Sequence, residues 1–126
     1  AEYNDIIPAE GTRGKADFVI DKENRNAVRD SAVLCQFGLG RVIEEEIFEA
    51  LFDVDYEELL AVGDRVVTLE RHFSNQRGRD TADDRLPYDL PDLESSIQEY
   101  YDARGWTDDG RVPNDLVADF AEAADD

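Results

Sequence analysis

The chain holds one cysteine, Cys35, one histidine, His72, one tryptophan and no methionine, and each scarcity removes a class of function. A single thiol forms no internal disulfide framework. His72 falls in the middle of a predicted helix, with nothing to join it to Cys35 as a nucleophile's base, so it reads as a surface or packing residue. No stretch approaches the ~18 apolar residues of a membrane helix, and none reads as a secretory leader, so the expected place is the cytoplasm, with no membrane partner. Basic residues are scarce too: 13 Lys and Arg against 32 Asp and Glu leave a net charge of −19. Phosphate would be repelled, which excludes a nucleic-acid partner. Strand-like alternation is nearly absent.

What is present fits one domain. The 126 residues leave no room for two cores, and 41% hydrophobic residues suffice to bury a modest one despite 36% charged. Acidic residues occur in every segment rather than in one tail, a surface adapted to high salt, where self-repulsion is screened over about 3 Å at molar concentration. The expected source is therefore halophilic; an ordinary acidic protein is the alternative. The opening Ala1-Glu2-Tyr3 fits a fragment, a processed chain or an excised domain.

Taken in order, residues 1–16 mix Pro8, Gly11 and Gly14 with polar residues and read as a poorly ordered lead-in. After the apolar Phe18-Val19-Ile20, Asp21 to Glu23 should open a helix reaching Leu34, with Cys35 near its end and the Gly38-Leu39-Gly40 break beyond. Arg41 to Asp53, RVIEEEIFEALFD, is amphipathic. Asp55 and Glu58 resemble a capping box for a long helix to about Asn75. Gly63 inside that helix costs about 1 kcal/mol relative to alanine, which a close helix crossing explains. Asn75 to Tyr88 reads as a long loop, Pro91 as the first turn of a helix to Ala103 closed by Gly105, and Trp106 as packing back on it. Pro113 and Asn114 open a last helix. The expected fold is all-α, an irregular bundle of about five helices over residues 17–121, with a frayed acidic tail at 122–126.

Candidate chemistry is sparse. A thiolate at Cys35 suits soft metals and iron–sulfur irons, yet a cubane cluster takes about four cysteines, so on residues alone Cys35 reads as a buried, inert thiol. Asp80, Asp83, Asp84 and Asp89 lack the spacing of a calcium loop and read as a solvated loop. Asp108-Asp109-Gly110 reads as a turn, and Gly38-Leu39-Gly40 is too short for a phosphate-binding fingerprint.

Several segments resemble, in order, the carboxy-terminal part of the tungsten-containing aldehyde ferredoxin oxidoreductases. Gly14-Lys15-Ala16 is followed by Asp30-Ser31-Ala32-Val33-Leu34-Cys35-Gln36-Phe37, similar to that family's Asp-Ser-x-Gly-x-Cys-x-Phe. Glu57 to Val66 with Leu69-Glu70-Arg71 resembles its long helix, and Phe73, Asn75, Arg77-Gly78 and Asp83-Asp84-Arg85-Leu86-Pro87 the loop after it. Tyr100-Tyr101-Asp102-Ala103-Arg104-Gly105-Trp106 resembles the Tyr-Tyr-x-x-Arg-Gly-Trp ending, with Gly110 and Leu116 in step.

The resemblance implies a role as one part of an oxidoreductase. Cys35 matches the fourth ligand of a 4Fe-4S cluster. Asp30 and Leu34 match positions touching a pterin of a bis-pterin cofactor that holds tungsten or molybdenum. No catalytic residue is carried over, because the family's catalytic groups and other cluster cysteines match nothing here. The implied partners are the remaining domains, in the same chain or a separate subunit, and ferredoxin; the isolated chain is expected to bind no cluster and to be inactive. Val33 stands where the family has glycine. The alternative is a free-standing acidic helical interaction module that has lost the chemistry.

Overall fold

The structure is a computed structural model and describes residues 14–35 and 41–122. Among these, five helices and no strand occur: α1 (Ala16–Ser31), α2 (Arg41–Phe52), α3 (Tyr56–Gln76), α4 (Leu93–Arg104) and α5 (Asn114–Glu122). The all-α expectation holds. The expectations for residues 1–13, for Gly38-Leu39-Gly40 and for residues 123–126 lie outside the described residues.

Two helix starts differ from the sequence reading. α1 begins at Ala16, because Asp21 does not cap: its carboxylate takes the Arg25 guanidinium one turn on, at 3.0 Å, inside the helix. Ile20, Asn24 and Val28 then line one side at a spacing of four, with Asn24 and Val28 buried. α4 begins at Leu93 because Pro91 is used in a turn. The Leu93 amide donates to the Leu90 carbonyl at 3.3 Å across Pro91 and Asp92, and Asp92 has φ +60°. α3 starts as anticipated, with the Asp55 side chain accepting from the Glu57 amide at 3.0 Å.

α1 and α3 form the central pair and run antiparallel. Gly63 lies against Asn24, while Val28 meets Tyr56 at the start of α3. The expected close crossing is present: a β-carbon at position 63 would sit 2.8 Å from the Asn24 carbonyl carbon and 2.9 Å from its Cα. α4 packs on α1, and α2 and α5 each touch α3.

The apolar interior is split into two clusters at opposite ends of the α1–α3 pair. One holds Val28, Phe48 and Tyr56, with Ala32, Leu34, Leu59 and Leu60 packed against it. The other holds Tyr101, Trp106 and Val112, with Ile97, Tyr100, Leu116 and Val117 around it. Trp106 returns onto α4 as anticipated, edge-on to Tyr100 at a centroid distance of 5.6 Å. Arg25 fastens α2 to the first cluster's side: its Nη1 reaches Glu45 at 2.6 Å, and its guanidinium lies 5.1 Å from the Tyr56 ring centre.

Candidate functional site

The site residues sit on the turn that ends α1. The Leu34 amide donates to the Arg29 carbonyl and the Val33 amide to the Asp30 carbonyl, both at 3.0 Å, which satisfies two carbonyls of the last helical turn. This double bond pattern requires a left-handed residue at its centre, and Val33 takes it with φ +59°. A glycine occupies the same place at the end of α4. There the Trp106 amide donates to Tyr101, the Gly105 amide donates to Asp102, and Gly105 has φ +71°. One chain thus closes two helices the same way, once with the residue suited to it and once with a β-branched one.

The helix therefore stops at Ser31, and Cys35 stands beyond it, after the turn, not near a helix end at Leu34. Leu34 is half-buried against the cluster of Val28, Phe48 and Tyr56 and anchors the turn to the core. Asp30 and Cys35 on either side of it are exposed. The expectation of a buried, inert thiol is thus overturned: with the helix ended early, the residue after Leu34 has left the core and faces outward. Among the described residues, no group of three or more His, Cys, Asp or Glu could hold a metal ion, so Cys35 offers one ligand and no more.

Buried charge fixes the helix that carries this turn. The Arg104 side chain is 0% exposed and joins three helices. Its Nη2 donates to Glu23 Oε2 at 2.9 Å, and its Nη1 donates to Asn24 Oδ1 at 2.7 Å and to Asp64 Oδ1. Its Nε donates to the Tyr100 hydroxyl at 3.2 Å, and that hydroxyl donates to Glu23 at 2.6 Å. Burial and the Glu23 carboxylate raise the Tyr100 phenol far above its ordinary value. Sequence reading missed this node because its members are far apart in the chain. The one signal was that Arg104 lay within the quoted Tyr-Tyr-x-x-Arg-Gly-Trp pattern.

A second ion pair holds the far cluster. Arg71 donates through Nη1 and Nη2 to the two Asp84 carboxylate oxygens, at 3.0 and 2.6 Å, and through Nε to the Gly110 carbonyl at 2.7 Å. The Tyr101 hydroxyl also donates to Asp84. Burial alone would raise the Asp84 carboxyl, but the bonds from Arg71 and Tyr101 outweigh it and hold the group below its ordinary value. The acidic loop is thus not uniformly solvated, since Asp84 is pinned inward while Asp83 caps the Asp80 amide at 3.1 Å. The Asp108-Asp109-Gly110 turn is present, closed by the Gly110 amide on the Thr107 carbonyl at 2.7 Å. His72 is half-exposed on α3 beside Gln76, 3.0 Å away. A groove of about 580 Å³ between α1, α3 and α4 is floored by Val19, Val67, Ile97, Tyr100 and Trp106, and includes none of Asp30, Leu34 or Cys35.

No helix among the described residues is long and apolar enough to cross a membrane. The family model described as aldehyde ferredoxin oxidoreductase, domains 2 & 3, matches residues 3–120. The tungsten-containing aldehyde ferredoxin oxidoreductase of Pyrococcus furiosus is 30% identical over 92% of this chain and 22% of its own length. The protein of the same description from Thermococcus kodakarensis is 31% identical over 86% of this chain and 21% of its own, and that of Pyrococcus abyssi 31% over 84% and 21%. The chain spans about a fifth of the length of these relatives. No solved structure matches it. With a match that spans α1 to α4 and reaches into α5, this chain belongs to the aldehyde ferredoxin oxidoreductase family, in the part that the family model describes as domains 2 and 3.

Proposed function

We propose that this chain forms one wall of the cofactor site of a tungsten- or molybdenum-dependent aldehyde ferredoxin oxidoreductase. Cys35 supplies one thiolate to a 4Fe-4S cluster, and Asp30 and Leu34 contact the neighbouring pterin. The observation that carries this reading is the turn itself. It exposes Asp30 and Cys35 on either side of Leu34, whose side chain is held in the core. An exposed thiol suits the donor set, because cluster irons take thiolate sulfur. Asp30 presents an acceptor pair that matches an amino group and ring N–H side by side, as it would a guanidinium. With its side chain packed on the core and its amide donated to Arg29, Leu34 has its main-chain carbonyl to offer. When bound, the metal–pterin group and cluster supply the oxidation of an aldehyde and the passage of electrons to ferredoxin.

Catalysis needs the other domains, which supply the remaining thiolates and the catalytic groups. A free-standing module that has lost the chemistry gains no support from a turn that leaves its thiol and carboxylate open. The experiment is a pair of substitutions in the enzyme that contains this chain together with its cysteine-bearing domains. Cys35→Ser is expected to lower the iron content and change the electron paramagnetic resonance of the reduced cluster, and Asp30→Asn to lower retained tungsten or molybdenum. A Cys35→Ser enzyme with the iron content and spectrum of the unaltered protein would remove Cys35 from the ligand set.

A further inference from the structure

We infer that the groove between α1, α3 and α4 is the docking site of this chain's own residues 1–13, with Ile6 and Ile7 as the side chains that fill it. The inference does not depend on the role proposed for Cys35. The groove holds about 580 Å³, and Val19, Val67, Ile97, Tyr100 and Trp106 give it an apolar floor. Val19 is 39% exposed there. An apolar floor open to water gains from being covered.

The point where the chain enters α1 selects the occupant. Lys15 and Ala16 belong to the groove wall, and the Gly14 amide donates to Glu99 Oε2 of α4 at 3.1 Å. That bond ties the entry to both helices that form the groove's sides, so residues 1–13 join the described chain at its mouth. Their bulky apolar members are Tyr3, Ile6, Ile7 and Pro8, and Ile6-Ile7 is the aliphatic pair they offer. From Ile7 to Gly14 the extended chain reaches up to about 25 Å. The groove runs along α1 from Lys15 to Glu23, which is about 12 Å of helix, so the tether is long enough. A segment held on so short a tether meets the groove at an effective concentration of about millimolar. A second copy lacks that advantage and brings another net charge of −19. Docked there, the segment fastens α1 to α4 and shields the Arg71–Asp84 pair, both of whose members line the groove.

Thermal melts of the full chain test the contact. Ile6→Ser together with Ile7→Ser should lower the melting temperature by about 5 °C or more, although both residues precede α1. Val19→Ser, on the groove floor, should lower it too. All three changes combined should cost little more than the larger of those losses, because each removes the same contact. A doubly substituted Ile6, Ile7 chain that melts with the unaltered one overturns the inference, and so do losses that add in full. Position is read from the chain's single tryptophan. In a Cys35→Ser chain, a nitroxide attached at Glu2→Cys should broaden the nuclear magnetic resonance of the Trp106 indole N–H, and Ile6→Ser with Ile7→Ser should restore it. An indole signal that stays sharp beside the nitroxide overturns the docking. Broadening passed from a nitroxide-bearing copy to a separate isotope-labelled copy overturns the assignment to the chain's own segment.

Discussion

Replacing Gly63 by alanine sets two effects of opposite sign against each other, and the α1–α3 crossing decides between them. Inside an exposed helix the change would stabilise by about 1 kcal/mol, because alanine loses less backbone freedom on folding. Here the new methyl group meets backbone rather than a movable side chain, at 2.8 Å from the Asn24 carbonyl carbon and 2.9 Å from its Cα. Carbon atoms rest at about 3.5–4.0 Å, so the two helices must part by roughly 1 Å. Overpacking of this kind costs about 1–3 kcal/mol, and an obstacle of helix backbone places it at the upper end. The shift also pulls on Asn24, whose side chain accepts from Arg104 at 2.7 Å, and on Asp64, the next residue after the glycine. The net expectation is a loss of about 2 kcal/mol, or about 10 °C in melting temperature. Thermal melts at one fixed salt concentration, followed by circular dichroism and by the emission of Trp106, measure it. A Gly63→Ala chain that melts above the unaltered one would refute the crossing.

Arg104→Lys keeps the charge but loses the planar fork that reaches Glu23, Asn24 and Asp64 together; it should lower stability by about 1–3 kcal/mol, and an unchanged urea midpoint would refute the node. Asp84 is held below its ordinary value in the folded chain, so its pairing with Arg71 stabilises fully above that ordinary value and is lost as pH falls through the lower folded one. The difference in urea midpoint between Asp84→Asn and the unaltered chain should therefore be large near about pH 6 and shrink as the pH is lowered into the acid range; a difference that does not shrink with acid would count against it. The net charge of −19 predicts a melting temperature that rises steeply from dilute buffer to about 1 M potassium chloride, and a flat response would remove the halophilic reading.

The five helices were legible because their signals are local. An acidic cap at Asp55, a stop at Gly105 and apolar spacing through α2 and α3 act within a turn or two of the chain, so the residues themselves carry them. Gly63 was legible for a different reason: a glycine inside a strong helix is costly unless something lies close against it. The start of α1 was misread because Asp21 can cap a helix or pair with Arg25 within one, and the choice depends on what Ile20, Asn24 and Val28 find to pack on. The start of α4 was misread because Pro91 suits both a helix's first turn and a β-turn, and Asp92 at φ +60° selects the second.

The site was legible in residue identity alone. Asp30, Leu34 and Cys35 stand in one short segment, so a resemblance can point to them. Nothing in that segment says whether the sulfur is buried, and composition favoured burial wrongly. By itself the sequence determined the helical class, the excess of negative charge and the family, since these reside in residue types and their order. The tertiary structure decided which charges are buried and which thiol is open. Arg104 finds Glu23 and Asp64 only when three helices meet, and Cys35 faces outward only because Val33 turns the chain while Leu34 stays in the core. Burial is a property of what surrounds a residue, and its surroundings are supplied by distant parts of the chain.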